Sequence, residues 1–88
     1  MPYYIAAYDI NTKRGPKALN LFRQYLTWVQ NSVFEGELTR AQFEELQSRT
    51  KRLIRYGEDT VVFYELRDER YAERRVIGYD RVERGRFL

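Results

Sequence analysis

Cysteine and histidine are both absent from this chain of 88 residues. Without cysteine there are no disulfides, no thiolate nucleophiles and no sulfur-ligated zinc. Without histidine the chain lacks the commonest general base near neutral pH and the commonest transition-metal ligand. Catalysis would have to use carboxylates, Lys, Arg, Tyr, Ser or Thr, or a hard cation held by oxygen. No apolar run approaches the roughly 20 residues of a spanning helix, so no membrane role is expected. The first residues read straight into a strand, without a basic segment followed by an apolar one, which makes the cytoplasm the expected compartment. There is no internal repeat, no low-complexity tract and no linker rich in Pro, Gly or Ser.

What is present describes one small domain. With 43% hydrophobic and 33% charged residues the composition is that of an ordinary globular chain. A chain of this size hides about 60–65% of the surface its unfolded form exposes, so its core is thin and a partner subunit would help it. The net charge is only +3, yet 13 of the 16 basic residues are Arg. Guanidinium is a planar, bidentate partner for phosphate and stacks on bases, and with eight Tyr it raises the prospect of a nucleic-acid partner. An Arg-heavy solvated surface explains the same composition equally well.

The β-rich stretch Tyr3 to Asp9 predicts a strand with apolar residues on both faces, hence central in its sheet. Gly15-Pro16 opens a helix whose apolar stripe is Ala18, Leu19, Phe22, Tyr25 and Leu26. Two short strands, Trp28 to Gln30 and Val33 to Glu35, are expected next. Thr39 and Gln42 then fit a capping box, flanked by Leu38 and Phe43 as a hydrophobic staple. In that second helix Phe43, Leu46, Thr50, Leu53 and Ile54 form the buried stripe. Arg49, Lys51, Arg52 and Arg55 gather toward its end, where the helix dipole alone accounts for cations. Gly57 reads as the residue that closes the helix. Thr60 to Leu66 is the strongest strand pattern, and after a charged connection Arg75 to Tyr79 predicts one more. The order β-α-β-β-α-β plus an extra strand is α+β, a ferredoxin-like sandwich with an additional C-terminal strand. The domain is expected over residues 1–80, with a charged tail over 81–88.

No catalytic motif is complete. The one suggestive constellation is Asp9 at the end of a central strand, followed by a polar loop with Lys13 and Arg14. A carboxylate in that register meets either a cation or the N–H groups of Asn11 or Thr12, and pattern alone favours the loop cap. Ser32 reads as an ordinary hairpin hydroxyl or as a contact to a nucleic-acid backbone. Phe34, alternating with Val33 and Glu35, reads as core rather than as a stacking platform.

Tyr8-Asp9-Ile10, Val29-Gln30-Asn31-Ser32-Val33-Phe34-Glu35, Val61-Val62-Phe63-Tyr64 and Val76-Ile77-Gly78 together resemble the CRISPR-associated endoribonuclease family, the Cas-two proteins. The resemblance spans nearly the whole chain in length and element order. It implies a homodimer in which Asp9 of each subunit faces the other across the dyad and holds Mg2+, or Mn2+ in its place. It further implies that Asp9 and Arg14 are catalytic, that Lys13, Arg14 and Ser32 contact nucleic acid, and that Tyr8, Gln30, Ser32 and Phe34 form the motif around the cleft. Trp28 stands where family members often carry a basic residue; an indole there suits stacking on a base. The implied function is CRISPR adaptation: the dimer bridges the CRISPR integrase (the Cas-one protein) and protospacer DNA during spacer acquisition. A metal-dependent endonuclease activity on single-stranded RNA, and in some members on double-stranded DNA, accompanies it. The alternatives are a non-catalytic nucleic-acid scaffold and a stand-alone toxin-like ribonuclease. An RNA-recognition module on the same fold is disfavoured, because its Lys/Arg-Gly-aromatic-Gly/Ala-aromatic pattern is missing.

Overall fold

A computed structural model describes residues 1–73 and 75–78. The elements run β1 (Tyr3–Asp9), α1 (Gly15–Arg23), β2 (Thr27–Gln30), β3 (Val33–Glu37), α2 (Arg40–Leu53) and β4 (Thr60–Leu66), followed by a single 3-10 turn at Glu69–Tyr71. The sheet order is β2-β3-β1-β4, with every neighbouring pair antiparallel. This is the α+β, ferredoxin-like arrangement that the element order implies, and β1 is central as its two apolar faces require.

Both helices cover one face of the sheet. Tyr4, Ala6, Phe22, Phe34, Leu38 and Leu46 are buried there with Leu21 and Leu26. The core is largely aromatic: Phe22 lies 5.4 Å from Phe34 and 6.0 Å from Phe63, and Tyr4 stacks on Phe43 at 4.1 Å between ring centres. Such pairs add roughly 0.5–1.5 kcal/mol beyond the area they bury, which helps a thin core. The start of α2 is fixed by the capping box. The Gln42 N–H donates to the Thr39 hydroxyl at 3.1 Å, and the Thr39 N–H donates to Gln42 Oε1 at 2.9 Å.

Two expectations need correction. Helix α2 ends at Leu53 with Ile54 extended, so Gly57 does not close the helix. It sits instead in the following turn at φ +93°, a left-handed conformation suited to glycine. The additional strand over Arg75 to Tyr79 is not formed at residues 75–78, where Val76 and Ile77 are exposed. A strand exists only against a partner edge, and this segment finds none within the described residues. Tyr79 and the tail 81–88 lie outside the described residues.

Among the described residues the opposite face of the sheet carries no helix. Register places Tyr3, Ile5, Ala7 and Asp9 of β1 beside Leu66, Tyr64, Val62 and Thr60 of β4, and Ile5 and Ala7 beside Glu35 and Val33 of β3. Tyr64 is 60% exposed and Val62 is also exposed.

Candidate active site

Asp9 is the last residue of β1, paired with Thr60 and exposed. The loop after it is closed without its carboxylate. The Asn11 N–H donates to Asp59 Oδ1 at 2.9 Å, the Lys13 N–H to Asn11 Oδ1 at 2.9 Å, and the Arg14 N–H to the Asn11 carbonyl at 2.9 Å. The cap that pattern alone assigns to Asp9 is supplied by Asn11 and Asp59. The Asp9 carboxylate is therefore left at the strand tip, on the helix-free register of the sheet.

Three chain segments meet at this end of the molecule. The Tyr8 N–H donates to the Ser32 carbonyl at 3.1 Å, so the β2–β3 turn lies beside the tip of β1. That turn is sharp: Asn31 adopts φ 39°, and its carbonyl accepts from the Trp28 indole at 2.8 Å. Gln30 is exposed at the end of β2, and Ser32 is half-buried. Phe34 is fully buried, 5.9 Å from the Tyr8 ring. Tyr8 itself packs 5.1 Å from Phe22, and burial raises its phenol above the ordinary value. Tyr8 and Phe34 are thus packed beneath the tip of β1, while Asp9, Lys13 and Gln30 are exposed and Ser32 half-buried on the segments that meet there.

Arg14 is placed differently from Lys13. Its Nε donates to Asp59 Oδ2 at 2.7 Å and its Nη2 to Asp59 Oδ1 at 3.0 Å, a bidentate pair, with Glu58 3.6 Å away. The Arg14 side chain is 18% exposed and that of Asp59 is 0% exposed. Asp59 also accepts the Arg55 N–H at 2.9 Å. The Arg14 guanidinium, with the Asn11 and Arg55 amides, holds the Asp59 carboxyl well below the usual carboxylate range, although burial pulls the other way. Asp59 thereby ties the loop after β1 to the end of α2, just before β4. Sequence reasoning missed this residue. A carboxylate next to a strand that buries itself must collect donors, but its partners are distant in sequence.

Asp9 offers hard oxygen donors of the kind Mg2+ accepts, and one carboxylate amounts to half of such a site. Among the described residues no group of three or more Asp, Glu, His or Cys side chains converges. The donor chemistry fits a cation shared between two chains and completed by water and phosphate.

The family model for CRISPR associated protein Cas2 matches residues 1–74. The chain belongs to the Cas2 family. A CRISPR-associated endoribonuclease Cas2 of Dictyoglomus turgidum is 44% identical over 86 residues, covering 98% of this chain and 99% of the relative. One of Thermotoga maritima is 42% identical over 83 residues, covering 94% and 95%. Among solved structures, a Cas2 crystal structure superposes with a TM-score of 0.83 at 40% identity, covering 91% of this chain and 90% of the other. Cas2 of Streptococcus pyogenes superposes at 0.74 with 32% identity, covering 86% and 99%. The Cas2 fold here therefore extends across both helices and all four strands of the sheet. Among the described residues no helix is long and apolar enough to cross a membrane.

Proposed function

We propose that this Cas2 protein works as a homodimer in CRISPR adaptation, bridging the CRISPR integrase and protospacer DNA in the cytoplasm, and that it cleaves RNA at a site shared by two Asp9 residues. The observation that carries the catalytic part is the exposed Asp9 carboxylate, left over once Asp59 and Asn11 have closed the loop. The helix-free face supports the dimer, since it presents Val62 and Tyr64 beside Ile5 and Ala7, with Asp9 at its end. Exposed Val76 and Ile77 add an apolar segment suited to pairing along a partner's sheet edge.

Asp9 of both subunits would hold a divalent cation, Mg2+ or Mn2+, which supplies an activated water and a polarised phosphate. The chain's own residues then bind and orient. Lys13, exposed on the loop, offsets phosphate charge beside Asp9. Ser32, next to Tyr8, is placed to contact the sugar-phosphate backbone, and Gln30 offers an amide at the same end of the molecule. Arg14, committed to Asp59, acts by holding the loop at its set distance from β4 rather than by gripping phosphate.

Asp9→Asn tests this reading. Mg2+-dependent cleavage of a fluorescent single-stranded RNA should be lost, while light scattering still reports a dimer and duplex DNA is still bound. Unchanged cleavage by the variant would place the chemistry elsewhere and leave a non-catalytic scaffold as the better description.

A further inference from the structure

Helices α1 and α2 enclose an open groove of about 340 Å³ lined by Lys17, Leu21, Arg49, Arg52 and Leu53. Its polar lining is wholly cationic. Among the described residues Lys17, Arg49 and Arg52 form no ion pair with a carboxylate. Arg49 is nonetheless fixed in place: its Nη1 donates to Gln24 Oε1 at 2.9 Å and to the Tyr25 hydroxyl at 3.0 Å, and its guanidinium lies 5.6 Å from the centre of the Tyr25 ring. Neutral oxygens thus position the charge without cancelling it. Glu45, a turn earlier on α2, accepts the Tyr25 hydroxyl instead.

Compensation of helix dipoles explains only part of this cluster. Arg52 lies in the last turn of α2, where a cation is favoured. Lys17 lies in the first turn of α1, where a cation is disfavoured, and that turn contains no acidic residue. Positive charge is therefore accumulated at one spot with no direct ion pair among the described residues, the Glu45 carboxylate meeting Arg49 only through the shared Tyr25 hydroxyl. The antiparallel order of the sheet also brings the start of α1 and the end of α2 to the end of the molecule that holds Asp9 and the loop with Lys13.

We infer that this groove holds the phosphodiester backbone of single-stranded RNA and leads it over the Lys13 loop toward Asp9. A cationic groove with a planar guanidinium held in place suits a single strand: its backbone follows Lys17 and Arg52 while an unstacked base lies on Arg49, which the Tyr25 ring backs. The inference rests on the polynucleotide reading above and adds to it the path of the strand on the helix side.

The test is the salt dependence of binding to a fluorescein-labelled single-stranded RNA, measured by anisotropy without divalent cation. Lys17→Gln combined with Arg52→Gln removes two phosphate contacts, and the log–log slope against salt should fall by about 1.4. Arg23→Gln combined with Arg40→Gln removes the same charge from the other end of the two helices and should leave the slope unchanged. Both pairs are exposed, and equal urea midpoints will show that the fold is intact. Equal loss of slope in the two double variants overturns the groove while the polynucleotide reading stands. A loss of about 1.8 with duplex DNA, the value for two phosphate contacts there, beside no loss with RNA overturns the choice of a single strand. If the unmodified protein fails to bind either probe, the polynucleotide reading falls and takes the groove with it.

Discussion

A shared site has an arithmetic that a private one lacks. Each chain brings one Asp9, exposed and unused by its own loop, and Mg2+ takes one or two carboxylates with its remaining positions filled by water and phosphate. Asp9→Asn keeps the size of the side chain and the β1–β4 pairing while removing the charge. Wild-type and variant chains, differently tagged, are unfolded together in equal amounts, refolded and assayed without separation. Random pairing yields about one quarter wild-type dimers, one half mixed and one quarter variant. If both carboxylates are required at one cation, only the first class cuts, and Mg2+-dependent RNA cleavage falls to about one quarter of the wild-type rate. Purified mixed dimers should then be as inactive as the variant. A rate of about one half, with mixed dimers retaining half the activity, would show that each chain works with its own carboxylate. That result would refute the shared site even if the protein is a dimer.

Further expectations concern what supports this site. Asp59→Asn should lower the urea midpoint at pH 7 and slow cleavage without changing dimer mass, because the loop after β1 loses its anchor. The folded Asp59 carboxyl lies below its ordinary value of 3.8, so its stabilisation is fully present above that value and fades as pH falls through the folded one. The gap in urea midpoint between wild type and Asp59→Asn should therefore hold steady at neutral pH and narrow in acid; a constant gap would disprove the linkage. Tyr64→Glu, on the helix-free face, should yield folded monomers by light scattering, and an intact dimer would move the interface elsewhere. Phe34→Ala empties a fully buried site between Phe22 and Tyr8 and should cost about 4 kcal/mol in denaturant unfolding, whereas a loss near zero would contradict its place in the core.

Much of the fold could be read locally. The capping box needs only Thr39 and Gln42, three residues apart, and both hydrogen bonds form. The alternation in β1 places Tyr4 and Ala6 under the helices and Asp9 on the other face. What escaped local reading depends on distant partners. The loop position of Arg14 suggests a phosphate contact, and its pairing with Asp59, 45 residues later, cannot be read from that position. Whether Asp9 caps its own loop stayed open because Asn11 and Asp59 supply that cap, and Asp59 belongs to another part of the chain. Val76 and Ile77 have a strand composition, yet composition cannot create the edge against which a strand pairs.

The Arg14–Asp59 pair also has a consequence for the order of events during synthesis. The loop that presents Asp9 emerges from the ribosome early but receives its anchor only when residue 59 has been added and β4 can dock. A nascent or prematurely ended chain therefore carries the acid without the geometry. On the proposed reading, that delay would withhold cutting competence until nearly the whole sheet is in place.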